Sequence, residues 1–366
     1  MTPAAPAATG SWVESDAGHV SSLTVFGASH PGGPRFTIVP RAGSLTDPSE
    51  IPTARPPRVA VIVPSNRPAH LSAWEQAWWP YLTAAHATLY VVRDEPETWA
   101  QIQDALGVDA WIIPRQTDCV RMWGYLQAVR DGADILITLD DDCLPTGPCE
   151  DAIREHVRAL TTPTDAPGWG RVIPDLRTRG IPHEGPCPVV NHGLWTHVPD
   201  LDAVTQLAGV PTPTTLPFEH VLDPARQYPL SGMNLAWRAE ITPLLYFGLM
   251  GSHLETGAPW GVDRFGDIWA GLAAQRVARH CGWAIRSGTP FVHHARASDP
   301  QVNLVKERPG SLMTSTLAAA YRQVALPPEG TAATYADALA DTVSRLGGAY
   351  WAQYGTAWHR WIALTA

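Results

Sequence analysis

Between residues 58 and 139 short apolar, β-branched runs alternate with amphipathic stretches, and this alternation constrains the fold more than any other feature of the chain. "RVAVIVP" (58–64) reads as a buried parallel strand, and the polar turn "SNRP" leads into the helical "AHLSAWEQAWWPYL". "HATLYVVRD" reads as a second strand, "DAWIIP" (109–114) as a third, "DCVRMWGYLQAVRDG" as a helix and "ADILITL" (133–139) as a fourth strand. Strands alternating with helices build βαβ units, so the spacing predicts an α/β fold with a mostly parallel sheet whose ligands meet the carboxyl ends of strands. Asp94, Asp118 and the run Asp140, Asp141, Asp142 all fall at such ends. From about 160 to 260 the pattern gives way to Pro- and Gly-rich loops, which in α/β enzymes commonly build the substrate side of a site. Helical character returns at "DRFGDIWAGLAAQRVARHCG" and again after about residue 313.

The run "ILITLDDDCLP" (135–145) sends a hydrophobic strand directly into the three carboxylates. Like charges about 4 Å apart repel by about 4 kcal/mol at the effective dielectric of a protein surface, so such a cluster calls for a cation. One Asp could instead cap a helix, but that role needs only one. Hard divalent ions take carboxylate oxygens together with phosphate oxygens, and a carboxylate pair at a strand end therefore reads as a Mg²⁺ or Mn²⁺ diphosphate site. The chain has neither GxxxxGK[ST] nor GxGxxG after a strand, which lowers the kinase, GTPase and dinucleotide-dehydrogenase readings. A phosphohydrolase that attacks through Asp would carry it near the first strand with a following Thr, whereas "DDDCLP" follows the fourth strand without one.

Composition narrows the class further. With 366 residues, 45% hydrophobic and 17% charged, the chain is globular and can bury a large core. Its five cysteines are odd in number and scattered, which suits a reducing compartment. The N-terminus lacks the basic and apolar regions of a secretion signal and no apolar run has the length of a membrane span, so a cytoplasmic protein without a membrane partner is expected. A net charge of −9 and the lack of a basic stripe argue against nucleic acid, though not against a nucleotide. The 16 tryptophans suit cores first, and only weakly suggest sugar or base stacking.

Several longer words run in order through roughly residues 58 to 308: "VIVPSNRP", "CVRMWGYL", "ILITLDDDC", "TRGIPHEG", "NHGLWTHVPDLDAVTQL", "PLSGMNLAW", "YFGLMG", "FGDIWAG" and "HHARASDPQVNLVKE". With these words the chain resembles the reversibly glycosylated polypeptides, the family that includes the plant UDP-arabinopyranose mutases. The resemblance implies a glycosyltransferase A-type, Rossmann-like fold with flanking helices, UDP-sugar binding (UDP-glucose or UDP-arabinose), dependence on Mn²⁺ or Mg²⁺, and attachment of the sugar to an arginine of the protein. It also implies a tendency to form homo-oligomers. The organisation expected is a flexible or edge-strand extension over 1–56, a catalytic domain over 57–310 and a helical segment over 311–366.

Residue by residue, the triplet matches the family's DDD and looks like a DxD motif: Asp140 would face ribose or metal, and Asp142 would ligate the metal. His294 in "HHARAS" is a further candidate ligand. Arg67 and Arg121 match family arginines that could fork onto phosphate or onto the aspartates, and Lys306 could meet the diphosphate as a point charge. Asp94 and Asp141 join this substrate side; Asp141 would orient a neighbouring carboxylate or an arginine. Trp195, Met233 and Asn234, from "GLW" and "GMN", are candidates to face sugar or base, as is Trp269 of "IWAG".

Arg179 in "TRGIP" matches the family's sugar-carrying arginine. A guanidinium stays protonated and offers no useful lone pair, so it needs carboxylate help, for which Glu184 and Asp267 are the candidates. The family usually shows two acidic residues before "WAG", whereas this chain has Gly266 and then Asp267. That departure weighs against ring rearrangement, and the expectation is a UDP-sugar-dependent autoglycosylating glycosyltransferase, using glucose and able to hand the sugar to a small-molecule acceptor. A UDP-arabinopyranose mutase is the alternative, and a catalytically silent UDP-sugar-binding scaffold is the reading from another class.

Overall fold

The computed structural model describes residues 55–146, 151–165, 169, 179–182, 185–209, 220–295 and 298–366. They open with β1 (Val59–Ser65), α1 (Pro68–Ala84), β2 (Thr88–Arg93), α2 (Pro96–Leu106), α3 (Met122–Arg130) and β3 (Ile135–Leu139). Then follow β4 (Cys143–Pro145), α4 (Ala152–Thr161), β5 (Pro188–His197), α5 (Ala203–Leu207), β6 (His220–Val221) and β7 (Asn234–Arg238). The described chain ends with α6 (Gly266–Cys281), β8 (Ala284–His294), α7 (Pro300–Gln323), α8 (Ala332–Ser344) and α9 (Ala349–Thr365).

The strands form one sheet in the order β2-β1-β3-β7-β5-β8-β4, with β6 also on β8. β1 runs parallel to β2 and β3, β5 runs parallel to β8, and β7 is antiparallel to both its neighbours. This α/β sheet with flanking helices bears out the expected fold class and is consistent with a glycosyltransferase A-type, Rossmann-like fold. Every residue of β1 and of β3 is buried, as strands covered on both faces require.

Helices cover both faces. α1 buries Leu71, Trp74, Trp78 and Leu82, one stripe at helical spacing, and the Trp78 indole donates to the Cys143 carbonyl at 2.9 Å. α3 lies close against the sheet because Gly124 has no Cβ, which would stand 2.7 Å from Ile62 and 2.9 Å from Val92. The aromatic tail closes onto the core through α9: the indoles of Trp358 and Trp361 donate to the carbonyls of Pro243 and Thr242 at 2.9 and 3.0 Å. Trp74, Trp78, Trp237, Trp269, Trp358 and Trp361 are all fully buried, so tryptophan here mainly fills the core, and Trp269 packs against Trp351 instead of facing a ligand. Among the described residues no helix is long and apolar enough to cross a membrane.

One sequence expectation changes. "DAWIIP" is not a strand, because residues Gly107–Ile112 form a 3₁₀ turn. Ile112 and Ile113 are fully buried as a strand's would be, but the Ile112 carbonyl accepts from the Tyr246 hydroxyl at 3.0 Å instead of from a neighbouring strand. A short apolar run does not by itself distinguish the two.

Candidate active site

Strand register brings the site together. Val59–Ile62 of β1 pair in parallel with Ile135–Thr138 of β3, so both strands end on one edge of the sheet. β7 runs the other way, with Asn234 opposite Leu139, and thus Ser231, Gly232 and Met233 enter at that same edge. β4 pairs Cys143 with His294, which sets the end of β8 beside the aspartates.

The three aspartates do three different things. Asp140 receives the Arg121 guanidinium on Oδ1 at 2.6 Å, while its own N–H donates to the Met233 carbonyl at 3.3 Å. Burial opposes its charge, but Arg121 more than reverses this and holds the Asp140 carboxyl below its ordinary range. Asp141, only 4% exposed, accepts from the Ser65 hydroxyl and from Nε and a terminal nitrogen of Arg67. It therefore braces Arg67 and the end of β1. Asp142 lies 3.4 Å from that Arg67 nitrogen and 3.8 Å from His294 Nε2.

His294 Nδ1 bonds the Val198 carbonyl at 2.8 Å, and because a carbonyl only accepts, this nitrogen carries the proton. Its Nε2 faces Asp142, and the carbonyl behind Nδ1 is the backing that metal-bound histidines use. No group of three or more His, Cys, Asp or Glu side chains among the described residues could hold a metal ion. Asp142 and His294 are the two side chains that could hold a divalent ion here, a pair that would leave most of its coordination positions to non-protein ligands.

Beside the triplet lies a second set of carboxylates, of which sequence reading gave a catalytic role to Asp267 alone. Asp267, in the first turn of α6, accepts from the Gly232 N–H at 2.7 Å and from the Ile268 N–H at 2.8 Å. Burial pushes its carboxyl up to about 7, helped by the charges of Asp118 and Asp200. Asp200, hydrogen-bonded to the Ser231 side chain, is raised by burial and by Asp140. Asp263 accepts from Thr117 at 3.0 Å and lies 3.4 Å from Lys306 Nζ. Asp200 sits inside "HVPD" and Asp263 opens "DRFGD", so both words contained the signal; an isolated Asp in a loop gives no hint of what it faces.

Other expected site residues have other surroundings. Asp94 accepts from the Trp99 indole at 2.7 Å and from backbone N–H groups of Gln116 and Thr117, which ties the end of β2 to the loop before α3. Asn234 is fully buried, and both protons of its amide go to the carbonyls of Leu194 and Pro290 at 2.9 Å. Its oxygen faces His156 Nε2 at 2.9 Å, so this amide anchors β7 and is not turned toward a ligand. Met233 is buried, while Trp195 is half-buried and meets His192 edge-on. Arg179 is exposed in a turn with Gly180, and among the described residues it makes no hydrogen bond or ion pair. Glu184 lies outside the described residues.

Gly266, the departure before "WAG", also has a structural explanation. A Cβ there would stand 2.3 Å from the Phe247 carbonyl and 2.7 Å from Cys119 Sγ, so a side chain at 266 would point into the core. Packing therefore accounts for glycine at 266, and Asp267 remains beside it, bonded to the Gly232 N–H.

The family model "Reversibly glycosylated polypeptide" matches residues 95–365. UDP-arabinopyranose mutase 3 of Arabidopsis thaliana is 34% identical over 245 residues, 63% of this chain and 65% of its own length, just under two thirds of that relative. Probable UDP-arabinopyranose mutase 4 of the same plant is 31% identical, over 68% of this chain and 73% of its own. UDP-arabinopyranose mutase 1 of Oryza sativa subsp. japonica is 29% identical over 79% and 84%. These names correct the expectation of an autoglycosylating, UDP-glucose-dependent transferase: the curated relatives are mutases, and the reasoning from Gly266 that set the mutase second fails on the geometry just given. A model spanning most of the chain and relatives of this similarity place it: the chain belongs to the reversibly glycosylated polypeptide family.

Proposed function

We propose that this chain interconverts the pyranose and furanose ring forms of UDP-arabinose, with Mn²⁺ or Mg²⁺ at Asp142 and His294. The observation that carries the reading is the Asp267 carboxyl, bonded to the same segment that meets the aspartate triplet. Gly232 donates its N–H to Asp267, its carbonyl accepts from Arg121 at 2.8 Å, and the next carbonyl, Met233, meets Asp140. A diphosphate end and a sugar end thus share one short piece of backbone. The names of the curated relatives support the substrate class.

Ring contraction breaks the bond from the anomeric carbon to the ring oxygen O5 and makes one to O4. O5 must gain a proton and the O4 hydroxyl must lose one, with no net change. A carboxyl near pH 7 can do both, which an ordinary carboxylate cannot, and Asp267 is suited to that exchange. The bound cation would offset charge on the diphosphate while the ring rearranges. Asp140 and Asp142 are held for it by Arg121 and Arg67.

The pH dependence follows. Conversion from the pyranose form needs protonated Asp267, so kcat/KM should decline as pH rises through about 7. The same carboxyl is raised above its unfolded value of 3.8, so the stability it contributes is fully present below about pH 4 and is lost as pH rises through 7. Asp267→Asn should therefore gain thermal stability relative to wild type between pH 5 and pH 8, roughly. A difference in Tm that stays constant across that range, together with an unchanged pH–rate profile in the variant, would remove Asp267 from this role. Incubating the protein with UDP-arabinopyranose and Mn²⁺ and separating the UDP-sugars tests the reaction itself: the furanose form should appear.

A further inference from the structure

Both arginines that the sequence offers to a diphosphate are already engaged. Arg67 uses Nε and a terminal nitrogen on Asp141, with that nitrogen also near Asp142. Arg121, 1% exposed, donates to the Asp118 and Gly232 carbonyls, to Thr138 and to Asp140. Carboxylates outnumber cations around them, so an incoming diphosphate needs a guanidinium fork whose terminal N–H groups are not already bonded.

Arg264 supplies it. This residue, two positions before α6, has a backbone φ of 65°, a left-handed conformation that side chains other than glycine rarely adopt. Such an outlier persists where the surroundings enforce it, and it points to function. Its N–H donates to Asp263 at 2.9 Å and its Nε to Glu307 Oε1 at 3.1 Å. Glu307, 8% exposed, accepts on Oε2 from the Ala203 N–H at 2.8 Å, so α5 and α7 together fix the guanidinium from behind. Neither terminal nitrogen has a partner among the described residues, and the side chain is 34% exposed. The Arg264 charge acts on Asp118 and Asp200, and Asp200 in turn senses Asp140 and His294.

We propose that Arg264 is the arginine that grips the substrate, its two terminal nitrogens forking onto oxygens of the sugar-linked phosphate of a nucleoside diphosphate sugar. This rests on the UDP-sugar reading of the site. The backward anchor through Nε leaves the paired N–H face for a phosphate, the geometry at which arginine exceeds lysine. Nothing at the sequence level singles out this residue, because its neighbours in "VDRFGD" are equally charged.

Calorimetric titration of UDP and of UMP, with Mn²⁺ present, tests the assignment on wild type, Arg264→Gln and Arg264→Lys. Lysine can keep the ion pair with Glu307, so it separates gripping from bracing. The UDP affinity should fall roughly 10- to 100-fold in both variants, the loss of one charged hydrogen-bonding fork, while UMP affinity changes less than about threefold. Full UDP affinity in Arg264→Lys would make the residue a strut for α7 and overturn the proposal, as would an equal loss for UMP. Wild type that binds neither UDP nor UDP-arabinopyranose would overturn the UDP-sugar reading itself, an outcome distinct from either.

Discussion

Asp142→Ala is expected to lose the metal-dependent part of UDP binding, at least about 100-fold in affinity, while the protein keeps its fold. The asymmetry follows from how the three aspartates are held. Asp140 and Asp141 face Arg121 and Arg67 and join the strand ends to each other, whereas Asp142 is the one set toward His294 Nε2. Removing Asp142 leaves the Arg67–Asp141 fork and the Asp142 backbone contact to Ala295 in place, so Tm should change little. Titration of UDP with and without Mn²⁺ checks this. If the variant still shows the wild-type enhancement by Mn²⁺, the cation is not at Asp142.

Arg121→Met should have the largest effect on stability. The guanidinium is buried, holds Asp140 at 2.6 Å and Asp118 at 3.4 Å, and satisfies the Gly232 carbonyl at 2.8 Å. Methionine fills the volume but leaves a carboxylate and a carbonyl without their donor. Breaking one side of a buried ion pair costs about 3–5 kcal/mol, far above a typical surface substitution. Urea unfolding should register that loss, and the variant should fail to bind UDP even where it remains folded, since Arg121 fixes both Asp140 and Gly232. A loss below about 1 kcal/mol would show that Arg121 is not the brace its contacts describe.

Much of this was legible in the sequence because it depends on local pattern. β1, β2 and β3 were readable as apolar runs, and the aspartates after β3 stood out because three carboxylates at a strand end have no generic packing reason. β5 and β7 were hidden within what read as loops, and β8 was not read at all: "NLAWR" is short, and the bulge between Gly193 and Leu194 interrupts the register of β5 against β8. The "GMN" asparagine looked like a ligand contact, yet its amide anchors β7, since polar groups in a core need partners just as ligands do. The roles of Asp200, Asp263 and Arg264 depend on tertiary pairing across α5, α6 and α7, and no spacing rule encodes that. Gly266 shows the opposite error: its missing carboxylate suggested a missing function, whereas sterics at Phe247 explain it.

The proposed reaction rearranges the arabinose ring and leaves the sugar on UDP. Proton NMR of the anomeric region tests this most directly, following UDP-arabinopyranose and, separately, UDP-arabinofuranose with the wild-type protein and Mn²⁺, and with Asp142→Ala as the control. Both samples should converge on the same mixture of pyranose and furanose, and the control should leave each unchanged. Release of UDP and free arabinose without the other ring form, or no change of either substrate despite tight UDP binding, would contradict it.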